Sequence, residues 1–492
     1  MTTQDNNNFE AAAKDQAVAP ASPDGATSAG RKQELLASFW LSLVIAFLLC
    51  AANWWVDERT DFGKRIDEMT YGTLQHYLSS SAARENSQIV VLDISAIPLV
   101  PAKGFHEENI TDRGSLLKII QLLANVDPRP LGIGLDVDFS PDARGYADTA
   151  DPGLFDSFLA LEQSRSIPIR VGVHRSVDLG PGRWLRDPKY ASLAACVVVP
   201  KPEKGQSTRY MPEWIDVGYS AEVYEGMTER CPILGITLAQ LSALSTPRWP
   251  TWLLASTRQQ TFQADPEHGA RLVSNEVLVD YSPLDFLTNA RAIRLSDDGE
   301  KLELLQSNGD DAQTGNTVVD GDISRVVGNR LVFLGRTKNA TDTFIVPGRP
   351  EMPYAGVFLH ACAAYTLLNG TLYTLAGPVR LLADLLLSLA IFGIVFWFRS
   401  RNRSERYEPF FERHLPVLLA AAAAAIIILG ETWLLPRTRL MWDDFILVIL
   451  VLLVHSPIEH TADGVVAWRR GPVRLQPRVS TPPSPPHSEN EL

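Results

Sequence analysis

Four aspartates stand at or just after the ends of strands that the sequence predicts: Asp93, Asp136, Asp138 and Asp342. Open α/β sheets place their ligand sites at the carboxyl ends of parallel strands, so these carboxylates are candidates for one shared site. Carboxylate oxygens bind divalent cations, and they also accept hydrogen bonds from cationic or polar ligands. The alternative is structural, because a short acidic side chain at such a position often caps the next helix or fixes a turn.

His360 and Thr337 are the other candidate binding residues. His360 falls in the first turns of a helix that is predicted to open near Val357, and its imidazole can bind a metal or a ligand beside carboxylates. Thr337, with Lys338 and Asn339, follows a strand end and offers donors to an anion, although the chain lacks the Walker glycine spacing. It also lacks the G-x-S-x-G and H-E-x-x-H motifs. We therefore predict a binding protein that is not an enzyme and uses no cofactor.

Alternating strands and helices must position these side chains. Short apolar runs predict strands at residues 88–94, 131–139 and 331–335, and Asp112 can cap a helix between the first two. A strand, a helix and a second strand form a βαβ unit, whose strands run parallel with a right-handed crossover. A last helix carries His360 and ends at Gly370. We therefore predict an α/β domain with a mostly parallel sheet and flanking helices.

Apolar runs towards both ends of the chain predict four transmembrane helices. A helix of about 20 apolar residues spans a bilayer, and such runs occur at residues 35–56, 381–398, 415–435 and, less regularly, 440–458. The predicted organisation, in chain order, is a disordered cytoplasmic tail (1–34), a transmembrane helix (35–56), an extracytoplasmic domain (57–376), three transmembrane helices with an Arg-rich cytoplasmic loop at 399–414 (377–458), and a cytoplasmic tail rich in Pro and Ser (459–492). The arginines of the short loops set this orientation, because such loops stay cytoplasmic.

Net charge and cysteine content bear on which partners, disulfides and metal sites the chain can have. The net charge of -12 argues against nucleic acid as a partner, since phosphate binding needs a concentrated basic surface. Cys196 and Cys231 can form a disulfide if the domain lies in an oxidising compartment, which would leave Cys362 free; two buried free thiols are the alternative. The four cysteines form no C-x-x-C pair, so a zinc ribbon is not expected.

One stretch of the chain resembles a known family. It contains a strand ending in glycine, a following aspartate and a set of spaced residues, namely Val332-Phe333-Leu334-Gly335, Asp342, Met352-Pro353, Gly356-Val357, His360-Ala361 and Thr366 to Gly370. This set resembles the last strand and helix of the type-two CHASE domain, an extracellular sensory module of bacterial membrane receptors. The resemblance covers most of residues 57–376. It departs from the family before Arg113, where a Trp-Pro-rich turn is replaced by Phe105-His106-Glu107-Glu108-Asn109.

The resemblance implies a sensor. We predict a multi-pass protein of the bacterial inner (cytoplasmic) membrane, in contact with lipid, whose extracytoplasmic domain recognises a ligand or an envelope protein. Family members commonly continue into a cytoplasmic output domain, so we expect this chain to signal through its membrane helices to a separate output protein; a homo-oligomer is also compatible. A membrane scaffold or assembly subunit is one alternative, and an extracytoplasmic metal-dependent hydrolase is another.

Overall fold

A computed structural model describes most of the central part of the chain. The described residues are 60–78, 88–103, 109–142, 144–173, 183–199, 207–218, 228–242, 254–255, 257–263, 271–288, 291–306, 317–319, 323–338, 340, 342–369, 372–375, 377–401 and isolated positions on either side of these ranges.

The described part contains strands and helices in alternation. The strands, in chain order, are β1 (Ile89–Asp93), β2 (Leu99–Pro101), β3 (Asn109–Thr111), β4 (Gly132–Asp138), β5 (Ile169–Val173), β6 (Ala194–Cys196), β7 (Tyr210–Pro212), β8 (Trp214–Gly218), β9 (Thr228–Pro232), β10 (Leu254–Ala255), β11 (Thr257–Gln263), β12 (Arg271–Leu278), β13 (Arg291–Leu295), β14 (Leu302–Gln306), β15 (Thr317–Val319), β16 (Leu331–Gly335), β17 (Thr343–Val346), β18 (Arg349–Ala355), β19 (Tyr373–Leu375) and β20 (Leu440–Met441). The helices are α1 (Asp61–Leu78), α2 (Arg113–Ala124), α3 (Asp151–Arg165), α4 (Leu234–Ser242), α5 (Leu284–Leu287), α6 (Ile323–Val327), α7 (Gly356–Leu368) and α8 (Gly377–Arg401).

An eight-stranded sheet in the order β15-β14-β13-β1-β16-β4-β5-β6 forms the centre of the domain. The six strands from β13 to β6 run parallel, and β14 and β15 extend the sheet as antiparallel strands. The prediction of a mostly parallel sheet with flanking helices is therefore confirmed. β1 and β4 are parallel as expected, but β16 lies between them. In this register Gly335 pairs with Asp93 on one side and with Asp136 on the other.

One pair of helices covers each face of the sheet. Helices α2 and α3 pack together against β13 and β5, whereas α4 and α7 pack together against β4, β1 and β16. Glycines make room for the second pair: a Cβ atom on Gly134 would clash with Leu238 of α4, and one on Gly335 would lie 2.7 Å from the Cβ of Val357. Because alternate residues of a strand point to opposite faces, the intervening apolar residues of the same strands face α2 and α3.

Helix α1 was not predicted from the sequence. It packs closely against the main chain near Val279 and Gly348. Tyr71 is fully buried and donates a hydrogen bond to the carbonyl of Val279. Gly72 approaches Gly348 so closely that a Cβ atom on Gly72 would overlap the main chain there. The signal for this helix is weak in the sequence, because charged residues, threonines and glycines interrupt its apolar positions.

The fold shows that Cys196 and Cys231 form a disulfide and are not free thiols. Cys196 at the end of β6 and Cys231 in β9 form a disulfide, with Cα atoms 5.6 Å apart. Cys362 in α7 is free and buried. The bond therefore ties β6, the edge strand of the large sheet, to the β8–β9 hairpin.

The structure shows that the prediction of four transmembrane helices is wrong. No helix in the described part of the chain has both the length and the apolar character needed to cross a bilayer. In α8, which contains the predicted span 381–398, Asp384 and Arg399 confine the uncharged run to residues 385–398, fewer than the roughly 20 that a span requires.

The other predicted spans, 35–56, 415–435 and 440–458, lie almost wholly outside the described residues, as do the predicted tails and the Arg-rich loop. Leu440, where a fourth span was expected to begin, pairs in β20 with Tyr373 of β19. The multi-pass placement in an inner membrane, with the domain outside the cytoplasm, depended on those spans and is corrected with them.

Candidate functional site

The loops after β1, β16 and β4 meet at one edge of the sheet. The chain leaves β1 and β4 towards α2 and α3 on one face, whereas it continues from β16 to α7 on the other face. Such a change of direction between neighbouring parallel strands opens a crevice at their carboxyl ends, which is the usual ligand site of this architecture. We call the carboxyl ends of these three strands and the residues that follow them the carboxyl edge.

Asp93 fixes a turn at the carboxyl edge. Its Oδ1 accepts hydrogen bonds from the main-chain N of Ser95 at 2.9 Å, from the Ser95 hydroxyl at 2.5 Å and from the main-chain N of Thr337 at 3.1 Å. The side chain is almost fully buried. The structure brings Asp93 and Thr337 into contact, and this contact joins the loops after β1 and β16, as the structural alternative for such an aspartate requires.

Asp136 and Asp342 lie beside each other at the start of α7. A Cβ atom on Gly335 would lie 3.2 Å from the Cβ of Asp136, and one on Gly356, the first residue of α7, would lie 2.5 Å from Oδ2 of Asp342. Since Val357 also contacts Gly335, the two carboxylates flank the first turn of this helix. Within the described residues, the Asp136 carboxylate accepts no hydrogen bond.

Burial raises the pKa of the Asp136 carboxyl well above its ordinary value, and the negative charge of Asp342 raises this pKa further. Both residues are half-buried, and two neighbouring carboxylates ionise together only at a cost, so the pair holds a proton more firmly than an isolated aspartate does. Asp342 lies at the amino end of α7, where Ala355 provides no side-chain cap. The helix dipole favours negative charge at this position, beside the carboxyl of Asp136 whose pKa is raised.

Asp138 lies apart from the Asp136–Asp342 pair and contacts Ser140 and Arg113. A β-bulge between Leu135 and Asp138 redirects the end of β4, and Asp138 Oδ1 accepts a hydrogen bond from the main-chain N of Ser140 at 2.8 Å. Its carbonyl accepts a hydrogen bond from Nη2 of Arg113 at 3.1 Å. Asp138 therefore forms a turn and binds Arg113.

Arg113 is a buried cation that no motif in the sequence singles out. Its Nε donates to Asp151 Oδ1 at 2.9 Å, and its guanidinium carbon lies 3.9 Å from the ring centroid of Phe139. Burial lowers the pKa of Arg113, while Asp151 opposes this shift. The available signal was the position of Arg113 directly after the cap residue Asp112, among apolar helix residues that face the core.

His360 is not brought to the acidic pair. It is fully buried in α7, and its Nε2 lies 3.2 Å from the carbonyl oxygen of Val197, which follows β6. A Cβ atom on Gly235 of α4 would overlap the His360 main chain, so the two helices meet closely at this point. These contacts place His360 in the packing between α4, α7 and the β6 side of the sheet.

The described residues include no group of three or more His, Cys, Asp or Glu side chains that could hold a metal ion. The carboxyl edge thus brings together Asp93 with Thr337, and Asp136 with Asp342, while Asp138 and His360 have separate contacts.

No known family model matches the chain, and neither curated proteins nor solved structures give a match. The resemblance to the type-two CHASE domain stays a prediction.

Proposed function

We propose that the α/β domain is a recognition module of the sensor type, and that its ligand carries a positively charged nitrogen that binds between Asp136 and Asp342. The observation that supports this proposal is Asp136 itself. It is a carboxyl group at the carboxyl edge, beside a second carboxyl group, and its oxygens accept no hydrogen bond from the described residues. A protein that needed this side chain only for a turn would use it as Asp93 and Asp138 are used.

An ammonium or guanidinium group suits this pair better than a metal ion does. Calcium takes six to eight oxygen ligands, whereas two carboxylates in the described structure supply at most four oxygens. A protonated amine has three N–H donors, and charge-assisted hydrogen bonds to two carboxylates satisfy most of them. A bound cation also offsets the repulsion that two ionised carboxylates would have, so the ligand takes the place of the proton that a raised pKa favours on Asp136.

The same pair explains how binding would be transmitted. Asp136 belongs to β4, and Asp342 lies in the connection between β16 and β17, next to the first turn of α7. A cation that bridges the two carboxylates strengthens the contact between these elements, and in the free state the contact lacks these charge-assisted hydrogen bonds. The domain passes this difference to a separate output protein, in agreement with the function that the CHASE resemblance implies.

The test is thermal unfolding of the full chain with and without n-butylammonium and 1,4-diaminobutane, with n-butanol as the uncharged control. A ligand that binds only the folded form raises the melting temperature. We expect both amines to raise it for the wild type and for Asp298→Asn, which removes one exposed acid elsewhere, and to have no such effect on Asp136→Asn or Asp342→Asn.

The outcome also separates the alternatives. A docking subunit would show no amine effect and would co-purify with one stoichiometric partner whether or not Asp136 is replaced. A metal-dependent hydrolase would contain bound metal and lose it, with its activity, in Asp136→Ala. Equal shifts in the wild type and in both Asp136→Asn and Asp342→Asn would refute the proposed site.

A further inference from the structure

A β-hairpin leads from the Asp136–Asp342 pair to helix α1. It consists of β17 and β18, and it is inserted between β16 and α7, the two elements beside the pair. The base of the hairpin carries Asp342, whose carbonyl accepts a hydrogen bond from the main-chain N of Gly356 at 3.3 Å. The start of the hairpin is therefore attached directly to the first residue of α7.

The contacts of the hairpin make it a stiff connection. On its inner face Phe344, Val346 and Tyr354 are buried. Arg349, which follows the turn, donates hydrogen bonds to the hydroxyl of Tyr354 and to Asp285 of α5. The base and the turn of the hairpin are thus held in a fixed relation to each other.

The turn of the hairpin rests on α1. Gly348 in this turn has a φ of 78°, and a Cβ atom on it would lie 2.8 Å from the Cα of Gly72 in α1. One helical turn earlier, Glu68 accepts a hydrogen bond from the main-chain N of Ser207, and the following residue donates to the carbonyl of Ile345 at 2.8 Å. Helix α1 therefore contacts the hairpin directly at its turn and, through a second segment, at β17.

The face of α1 that packs on the domain is mostly polar. Among the described side chains of this helix, the buried ones are Ile66, Thr70, Tyr71 and Gln75, of which only the first is aliphatic. Gln75 is 4% exposed, and neither its Nε2 nor its Oε1 has a hydrogen-bond partner in the described structure. An enclosed amide without partners is costly, and native proteins contain few. A small shift of α1 therefore costs less than the same shift of a core element.

We propose that α1 is the output element of the Asp136–Asp342 site, and that the β17–β18 hairpin couples the two. This inference rests on the function proposed above, since it names the helix that responds when the pair binds a cation. A cation that ties Asp342 to Asp136 fixes the base of the hairpin, and the hairpin then holds α1 in one position. Without the cation the base is less constrained, and the polar face of α1 permits a second position.

Hydrogen exchange of the full chain, followed by mass spectrometry, measures the response of α1. With saturating 1,4-diaminobutane we expect peptides from α1 and from the hairpin to exchange several-fold more slowly. Peptides from α3, which packs on the opposite face of the sheet from α7, should change far less. Asp136→Asn should show no response. If the amine raises the wild-type melting temperature but leaves the exchange of α1 unchanged, the coupling is wrong and the proposed function stands.

A second experiment needs no ligand, so it tests the coupling even if no amine binds. Melting temperatures of Gly72→Ala, Asp342→Asn and the double variant form a cycle, in which uncoupled residues give additive shifts. We expect the shift of the double variant to differ from the sum of the single shifts by a few degrees. Gly72→Ala combined with Asp298→Asn, an exposed acid between β13 and β14, is the matched control and should be additive.

Glu68→Ala takes the place of Gly72→Ala in a parallel cycle, because it removes the contact with Ser207 and adds no atoms. It serves in particular if Gly72→Ala does not fold. Additive shifts in every cycle that includes Asp342→Asn would overturn the coupling. Non-additive shifts without any amine binding would refute only the cation site and would leave the hairpin as the connection between Asp342 and α1.

Discussion

At the scale of single residues, Arg113 and Asp151 form the most enclosed ion pair described, with side chains 5% and 0% exposed. Removing one partner of such a pair leaves the other as an uncompensated buried charge. The pair also connects α2 to the start of α3. Loss of this ion pair should therefore lower the stability of the whole domain.

We predict that Asp151→Asn lowers the free energy of unfolding by about 3–5 kcal/mol, measured by urea denaturation. Asp156→Asn is the control, because Asp156 pairs with Lys189 on the surface, where both side chains are about half exposed. That variant should leave the urea midpoint nearly unchanged. Similar midpoints for the two variants would mean that the Arg113–Asp151 pair has no special structural role.

The raised pKa of Asp136 predicts a pH dependence of stability. The folded-state pKa lies above the ordinary value of 3.8, so below pH 3.8 the carboxyl is protonated in both states and costs nothing. As the pH rises towards the folded-state pKa, the unfolded chain loses this proton first and the folded state becomes less stable relative to it. Asp136→Asn should therefore gain stability over the wild type as the pH rises to neutral.

Melting temperatures of both chains across this pH range check the prediction. Asp298→Asn provides a control of opposite sign, because a hydrogen bond from the Ser296 hydroxyl lowers the pKa of the exposed Asp298. This variant should lose a little stability as the pH rises. Parallel curves for the wild type and Asp136→Asn would contradict the enclosed, proton-holding pair.

The sequence allowed the types and chain positions of the site residues to be predicted, but not their contacts. Asp112 was correctly predicted as the cap of α2, since the pattern of a cap residue before an apolar helix is local. Whether Asp93 or Asp136 would have backbone donors depends on loops that are distant in the chain. Arg113 was missed for the same reason, because its partner Asp151 is 38 residues away.

At the scale of elements, α4 and α7 meet at Gly235. A Cβ atom there would overlap the main-chain carbonyl of His360, which cannot move without shifting α7. We predict that Gly235→Ala lowers the free energy of unfolding by about 1–3 kcal/mol or more, as overpacking does. Chemical denaturation of the full chain measures this change.

Gly153 in α3 is the matched control, because no heavy atom lies within 4 Å of its Cβ position. Gly153→Ala should be neutral or stabilise the domain by up to about 1 kcal/mol. Equal effects of the two substitutions would show that the close approach of α4 and α7 does not limit packing.

The disulfide connects elements that the large sheet alone does not hold. Cys196 and Cys231 are 35 residues apart, and a crosslink that closes a loop of this length stabilises by about 3–4 kcal/mol in the chain-entropy model. We predict that Cys196→Ala lowers the urea midpoint under oxidising conditions. A reductant should lower the wild-type midpoint to the same extent and leave the variant unchanged; an unaltered wild-type midpoint would contradict a structural role.

Element prediction succeeded where the apolar pattern was continuous. The strand at Leu331–Gly335 and the helix that carries His360 were placed almost at their observed limits. The insertion of β16 between β1 and β4 was not predictable, since it pairs segments about 200 residues apart. The apolar run at 381–398 forms part of α8, but length and composition alone led to the wrong prediction of a transmembrane span.

At the scale of the whole molecule, β16 is the strand that brings together the residues of the proposed site. β16 pairs with β1 and β4, and the chain after it supplies Thr337 and Asp342 to the edge. The site therefore exists only in the complete fold. Ligand binding and global stability should be coupled for this reason.

Calorimetric titration of the full chain with 1,4-diaminobutane, in two buffers of different ionisation enthalpy, tests the Asp136–Asp342 site most directly. We expect binding to the wild type with release of a proton, because the raised pKa of Asp136 favours its protonated form in the free state and a bound cation favours its carboxylate, and we expect no binding to Asp136→Asn. Equal binding by the two chains, or no heat of binding to the wild type, would contradict it.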